Sequence, residues 1–144
     1  MKEKAIYFDS SVILSMLFVE DSAQQALELW QSSPYRISSF LLYLETMTVL
    51  HRVQTNLPSR IKSSTIKSQQ KWLKQTLGAI SLYQISSDVA EEIERNTHYG
   101  KLRALDAIHI ATAKIFTSAG VNLEVASFDK QMCAGARMMG ISVA

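Results

Sequence analysis

The sequence predicts an α/β protein, a three-layer α/β/α sandwich built around a mostly parallel sheet of roughly five strands. Three observations predict it. Short runs of β-forming residues alternate with longer helical runs from one end of the chain to the other, so each strand is separated from the next by a helix. Strands joined in this way make right-handed crossovers and lie parallel, with helices on both faces. Ala5-Ile6-Tyr7-Phe8 is apolar throughout, as a strand covered on both faces should be. Finally, 144 residues with 47% hydrophobic and only seven Gly or Pro positions suit one ordinary folded domain, residues 1–144, and argue against disorder.

Each element has its own local reason. After the first strand, residues 10–19 form a helix that Ser10 or Ser11 can cap. Asp21-Ser22 opens a second helix through Trp30, and Ser32-Ser33-Pro34 stops it. Residues 35–39 form a second short strand. Residues 40–54 carry Phe40, Leu44, Met47 and Leu50 at helical spacing. Asn56-Leu57-Pro58-Ser59 breaks the chain, and residues 59–77 supply another helix. A third strand follows at 79–85, with Ile80 and Leu82 inward. Ser87-Asp88 opens a short acidic helix that runs into Tyr99-Gly100. Residues 102–119 form a long apolar helix ended by Gly120. Residues 121–128 are a fourth strand, 130–139 a helix stopped by Gly140, and 141–143 a short last strand.

Bulk composition excludes several function classes. With 15 Lys+Arg against 13 Asp+Glu the formal charge is +2, too small to announce a nucleic-acid binder by itself. Cys133 stands alone, which excludes an internal disulfide framework and a multi-thiolate zinc site; it reads as a packing residue. The basic-then-apolar start is interrupted by Asp9, unlike a signal peptide, and no segment reaches the ~20 apolar residues of a membrane span. The expectation is a soluble, cytoplasmic protein.

Four acids sit in apolar text, unlike the rest: Asp9 after Tyr7-Phe8, Glu45 after Leu42-Tyr43-Leu44, Asp106 within Ala104-Leu105-Asp106-Ala107-Ile108, and Asp129 after Ser127-Phe128. Each has a plain explanation. Asp9 and Asp129 can cap the helices they precede, Asp106 suits the positive end of its helix, and Glu45 can pair with Arg52 or another base. Together they suggest more, because strand-end and helix carboxylates can converge on one cleft at the carboxyl ends of parallel strands. An oxygen-only donor set suits Mg²⁺ or Mn²⁺ rather than zinc. Such a cleft is the signature of phosphoryl-transfer or phosphodiester chemistry.

The order Asp9-Ser10-Ser11, Leu44-Glu45, Leu50-His51-Arg52, Leu105-Asp106-Ala107-Ile108-His109-Ile110-Ala111 and Ser127-Phe128-Asp129 resembles the PIN-domain (PilT N-terminus) family along the whole chain. The compact length looks most like its VapC-type ribonuclease toxins. The resemblance implies a PIN-like fold and a metal-dependent endoribonuclease that is usually dimeric. It also implies a small antitoxin partner that holds the enzyme inactive, and an RNA substrate. It places Asp9, Glu45 and Asp106 among the metal-site acids and Asp129 at the more variable fourth acid. Ser10 and Ser127 stand where hydroxyls often bond the site. Cleavage by metal-activated water would leave 5′-phosphate and 3′-hydroxyl ends.

Two further features bear on substrate. His109 follows Asp106 by three residues, so it can meet and orient that carboxylate from one helix face. Residues 46–87 contain no acid but six bases, Arg52, Arg60, Lys62, Lys67, Lys71 and Lys74, a charge of +6 over 42 residues. Lys67, Lys71 and Lys74 share a helix face, which is either a solvated surface or a track for the RNA backbone. Arg103, beside the acids, can hold a phosphate or pair with Glu45. Trp30, Leu41 and Tyr43 fit either an interface or the core. The alternatives to a toxin are a PIN nuclease of RNA maturation or decay without an antitoxin, and a non-catalytic nucleic-acid-binding module. An Asp-based phosphatase is disfavoured because position 11 is Ser.

Overall fold

The structure is a computed structural model that describes residues 3–58 and 63–144. Its elements, in order, are β1 (Ala5–Phe8), α1 (Ser10–Leu17), α2 (Ala23–Gln31), β2 (Arg36–Ser39), α3 (Leu41–Thr55), α4 (Ser63–Gly78), β3 (Ser81–Tyr83) and α5 (Ser87–Arg95). A 3-10 turn at Thr97–Lys101 leads to α6 (Ala104–Ser118), β4 (Leu123–Ala126), α7 (Lys130–Met138) and β5 (Ser142–Val143). The five strands form one sheet in the order β3-β2-β1-β4-β5. Every neighbouring pair is parallel, as the helical crossovers require.

β1 lies at the centre, in register with β4 from Ala5 opposite Leu123 to Phe8 opposite Ala126. Its side chains divide the core. Ile6 and Phe8 pack with Val12, Ile13, Leu42, Leu50, Leu73 and Leu77 of α1, α3 and α4 on one face. Tyr7 points to the other face, among Ile110, Ala111, Val125, Met132 and Ile141. β1 is apolar at every position because both of its faces are covered.

Several boundaries differ from the sequence-based expectation. β3 spans three residues rather than seven, because it pairs only with β2 and that partner is itself four residues long. On α3 the core face is Leu42, Thr46 and Leu50 rather than Phe40, Leu44, Met47 and Leu50, and Leu44 is 46% exposed. The helix is rolled so that the side of Leu44 and Glu45 faces a surface cavity. Neither Ser10 nor Ser11 caps α1, since Asp9 occupies that position. Gly120 and Gly140 end their helices as expected, both at positive φ. Trp30 is a packing residue, tilted against Phe8 and covered by the Arg36 guanidinium at 4.0 Å. Leu41 is buried, and Tyr43 stacks on Phe40.

Gly135 of α7 permits a close approach to α6. A Cβ there would lie 2.6 Å from Ile110 Cδ1 and 2.9 Å from Leu102 Cδ2. Among the described residues no helix is long and apolar enough to cross a membrane.

Candidate metal and phosphodiester site

The strand order reverses between β1 and β4. β1 continues outward to β2 and β3 on one side, while β4 and β5 lie on the other. The carboxyl edge at this point is where an open parallel sheet leaves a crevice. Asp9 follows β1 directly, and Ser127-Phe128-Asp129 follows β4. The helices return antiparallel to the strands, so α3 and α6 start on the same edge and bring Glu45 and Asp106 there. The positive ends of these helices favour the anionic groups gathered around them.

One cavity of about 340 Å³ is lined by Asp9, Ser10, Ser11, Glu45, Arg103, Ala104, Leu105, Asp106 and Asp129. All four acids singled out in the sequence therefore share it. Asp9 is the most buried, at 5% exposure. It stands at the N-cap position of α1, yet its side chain accepts no backbone N–H of the helix start. Instead its Oδ2 accepts two hydroxyls, Ser127 Oγ at 2.7 Å and Ser11 Oγ at 2.9 Å. The same hydroxyls accept backbone N–H groups, Asp129 to Ser127 at 3.0 Å and Phe128 to Ser11 at 2.9 Å. The loop after β4 is thereby stitched to the start of α1. Asp9 Oδ1 has no hydrogen-bond partner among the described residues.

Asp129 does cap its helix, its Oδ1 accepting Gln131 N–H at 2.8 Å. Its Oδ2 lies 3.6 Å from Arg103. Arg103 also contacts Asp106 Oδ2 at 3.3 Å. It therefore pairs with Asp106 and Asp129, and not with Glu45. Burial pushes the Asp106 carboxyl above its ordinary range; Arg103 opposes this, while the charges of Asp129 and Asp9 add to it.

Glu45 does not pair with Arg52. Its Oε1 lies 2.6 Å from His109 Nε2, and His109 Nδ1 lies 2.7 Å from the Tyr7 hydroxyl. His109 thus meets Glu45 rather than Asp106: it is one turn deeper along α6, pointing under the site at 1% exposure. Asp9, Glu45 and His109 each offer a ligand atom within 4.8 Å of the others. The imidazole is engaged on both sides, so the donors left for the cavity are carboxylate oxygens.

Sequence reasoning missed two residues. Ser11, not Ser10, bonds Asp9; Ser10 only lines the cavity. Tyr7 was absorbed into the apolar strand, although a buried phenol needs a polar partner, and that need was the available signal. Lys67, Lys71 and Lys74 are exposed on α4, and none of them lines the cavity. Arg60 and Lys62 lie outside the described residues.

The donor set fits a hard divalent cation. Four carboxylates face one guanidinium within one cavity. Oxygen donors with no free imidazole or thiolate match Mg²⁺ or Mn²⁺.

Residues 6–137 match the model of the PIN domain. Ribonuclease VapC45 and Ribonuclease VapC49, from two strains of Mycobacterium tuberculosis, are each 27% identical over 139 residues, covering 96% of this chain and 94% of theirs. A chain from a toxin–antitoxin complex of Klebsiella pneumoniae superposes with a TM-score of 0.64 at 24% identity, over 91% of this chain and 92% of that one. At that identity the likeness concerns the fold.

Proposed function

Because the chain belongs to the PIN-domain family, we propose that it is a divalent-metal-dependent endoribonuclease, one nuclease domain over residues 1–144 and the toxin of a toxin–antitoxin pair. The observation that carries this reading is the convergence of Asp9, Glu45, Asp106 and Asp129, from four separate segments, on one cavity at the point where strand order reverses. The relatives named as VapC ribonucleases support the choice of RNA, and the antitoxin partner is the one the sequence resemblance implies.

In this reading the four carboxylates hold Mg²⁺ or Mn²⁺. When bound, the ion supplies Lewis-acid stabilisation of the phosphate and the leaving oxygen, and makes water a competent nucleophile near neutral pH. The protein's own groups then have distinct tasks. Ser11 and Ser127 fix Asp9 through Oδ2 and leave Oδ1 toward the cavity. Arg103, whose side chain is 68% exposed, sits at the rim where it can exchange a carboxylate for a substrate phosphate. Water adds to phosphorus as the bond to the 3′ oxygen breaks, leaving 5′-phosphate and 3′-hydroxyl ends. Lys67, Lys71 and Lys74 give α4 a basic face that supports a sequence-independent path for the RNA backbone.

An apolar groove lined by Leu41, Leu44, Val49 and Leu105 shares Glu45 and Ser10 with the acidic cavity. It supports a protein partner docking beside the site, and the enzyme is expected to work as a cytoplasmic homodimer. The test is incubation of purified protein with defined RNAs, followed by analysis of the product ends. The reading requires internal cuts bearing 5′-phosphates that stop when the product of an adjacent small reading frame is added; intact RNA would remove it.

A further inference from the structure

A buried chain of hydrogen bonds runs from the sheet to Glu45. The Ser39 backbone N–H donates to the Tyr7 hydroxyl at 3.2 Å. The Tyr7 hydroxyl meets His109 Nδ1 at 2.7 Å, and His109 Nε2 meets Glu45 Oε1 at 2.6 Å. Both rings are 1% exposed and pack edge to face with centroids 5.8 Å apart. The direction of the chain follows from its end. A carboxylate can only accept, so His109 Nε2 carries the hydrogen toward Glu45. With its hydrogen there the ring accepts at Nδ1 from the Tyr7 hydroxyl, which itself accepts from the Ser39 N–H.

The four groups come from β2, β1, α6 and α3 in turn. Glu45 is on a helix whose side turns toward solvent, and its side chain is 21% exposed. A carboxylate so placed has several rotamers open to it. The relay removes that freedom by fixing one oxygen against the sheet and leaving the other for the cavity.

We propose that Tyr7 and His109 are positioning residues for Glu45, a relay that sets its carboxylate for a divalent cation; this rests on the metal-dependent reading above. Partners that orient ligand side chains in this way typically contribute a factor of roughly 10 to 100 in metal affinity. The experiment is calorimetric titration of Mg²⁺ and Mn²⁺ into the full chain as wild type, His109→Phe, His109→Gln and Tyr7→Phe, with a thermal melt of each.

His109→Phe keeps the ring and should weaken binding at least ~10-fold. His109→Gln retains an N–H that can reach Glu45 and should recover most of that loss. Tyr7→Phe leaves the imidazole without its fixed partner and should fall between wild type and His109→Phe. It also carries the test if His109→Phe does not fold. Variants that melt lower but bind the cations as wild type does would overturn the relay alone. A wild type that binds neither cation would overturn the metal-dependent reading and the relay with it.

Discussion

Asp9→Asn isolates the chemistry of the site from its architecture. Both hydroxyl donors converge on Oδ2. The amide must therefore place its carbonyl oxygen there and its NH₂ at the Oδ1 position. The two hydroxyl bonds survive, and the other atom changes from acceptor to donor. A hydrogen bond to a charged acceptor contributes ~1.5–3 kcal/mol and a neutral one ~0.5–1.5, so the fold loses about 2 kcal/mol from the pair. Relief of repulsion with the neighbouring carboxylates acts in the opposite sense. The melting temperature should fall by no more than roughly 10 °C. Cation binding should suffer far more, because a ligand charge becomes a dipole of the wrong sign. A loss of at least ~3 kcal/mol is a factor of ~100 or more in Kd. Calorimetric Mg²⁺ titration beside a thermal melt reads both quantities. A folded variant with a Kd within a few-fold of wild type would refute the assignment of Asp9.

Other outcomes follow from the same geometry. The raised carboxyl of Asp106 means that its ionisation works against the fold: its contribution is fully favourable below the ordinary value and is lost as pH rises through the folded one. Metal-free Asp106→Asn should therefore melt above wild type at neutral pH and show no such gain in strong acid; a lower melting temperature at neutral pH would contradict this. Charge reversal of Lys67 and Lys71 together should weaken RNA binding and flatten its log–log salt dependence by roughly 1.4 if each residue meets one phosphate, whereas unchanged binding in a filter assay would remove the α4 track. Gly135→Ala should cost about 1–2 kcal/mol, since the new Cβ displaces only the flexible ends of Ile110 and Leu102. A melting temperature equal to wild type would show slack between α6 and α7.

The order of strands and helices was legible because each element announces itself locally: an apolar β1 buried on two faces, and glycines that end α6 and α7. The ends of β3 were not legible, because they depend on how much of β2 is there to pair with. The roll of α3 was misread for a related reason. Leu44 has the spacing of a core residue, yet the helix turns it outward so that Glu45 can face the cavity. The acids stood out because a carboxylate among apolar neighbours needs a partner. The sequence could not say which partner. Tyr7 meets His109 across 102 positions, and His109 meets Glu45 across 64. Those contacts exist only once β1 lies between β2 and β4.

We propose that the acidic cavity cleaves RNA with a divalent cation. The most direct test is cleavage of defined RNAs in Mg²⁺ or Mn²⁺, with and without EDTA, by wild type and Asp106→Asn. Internal cleavage by wild type that EDTA abolishes, added cation restores and Asp106→Asn lacks is the predicted result. Cleavage that persists in EDTA, or is undiminished in Asp106→Asn, would contradict it.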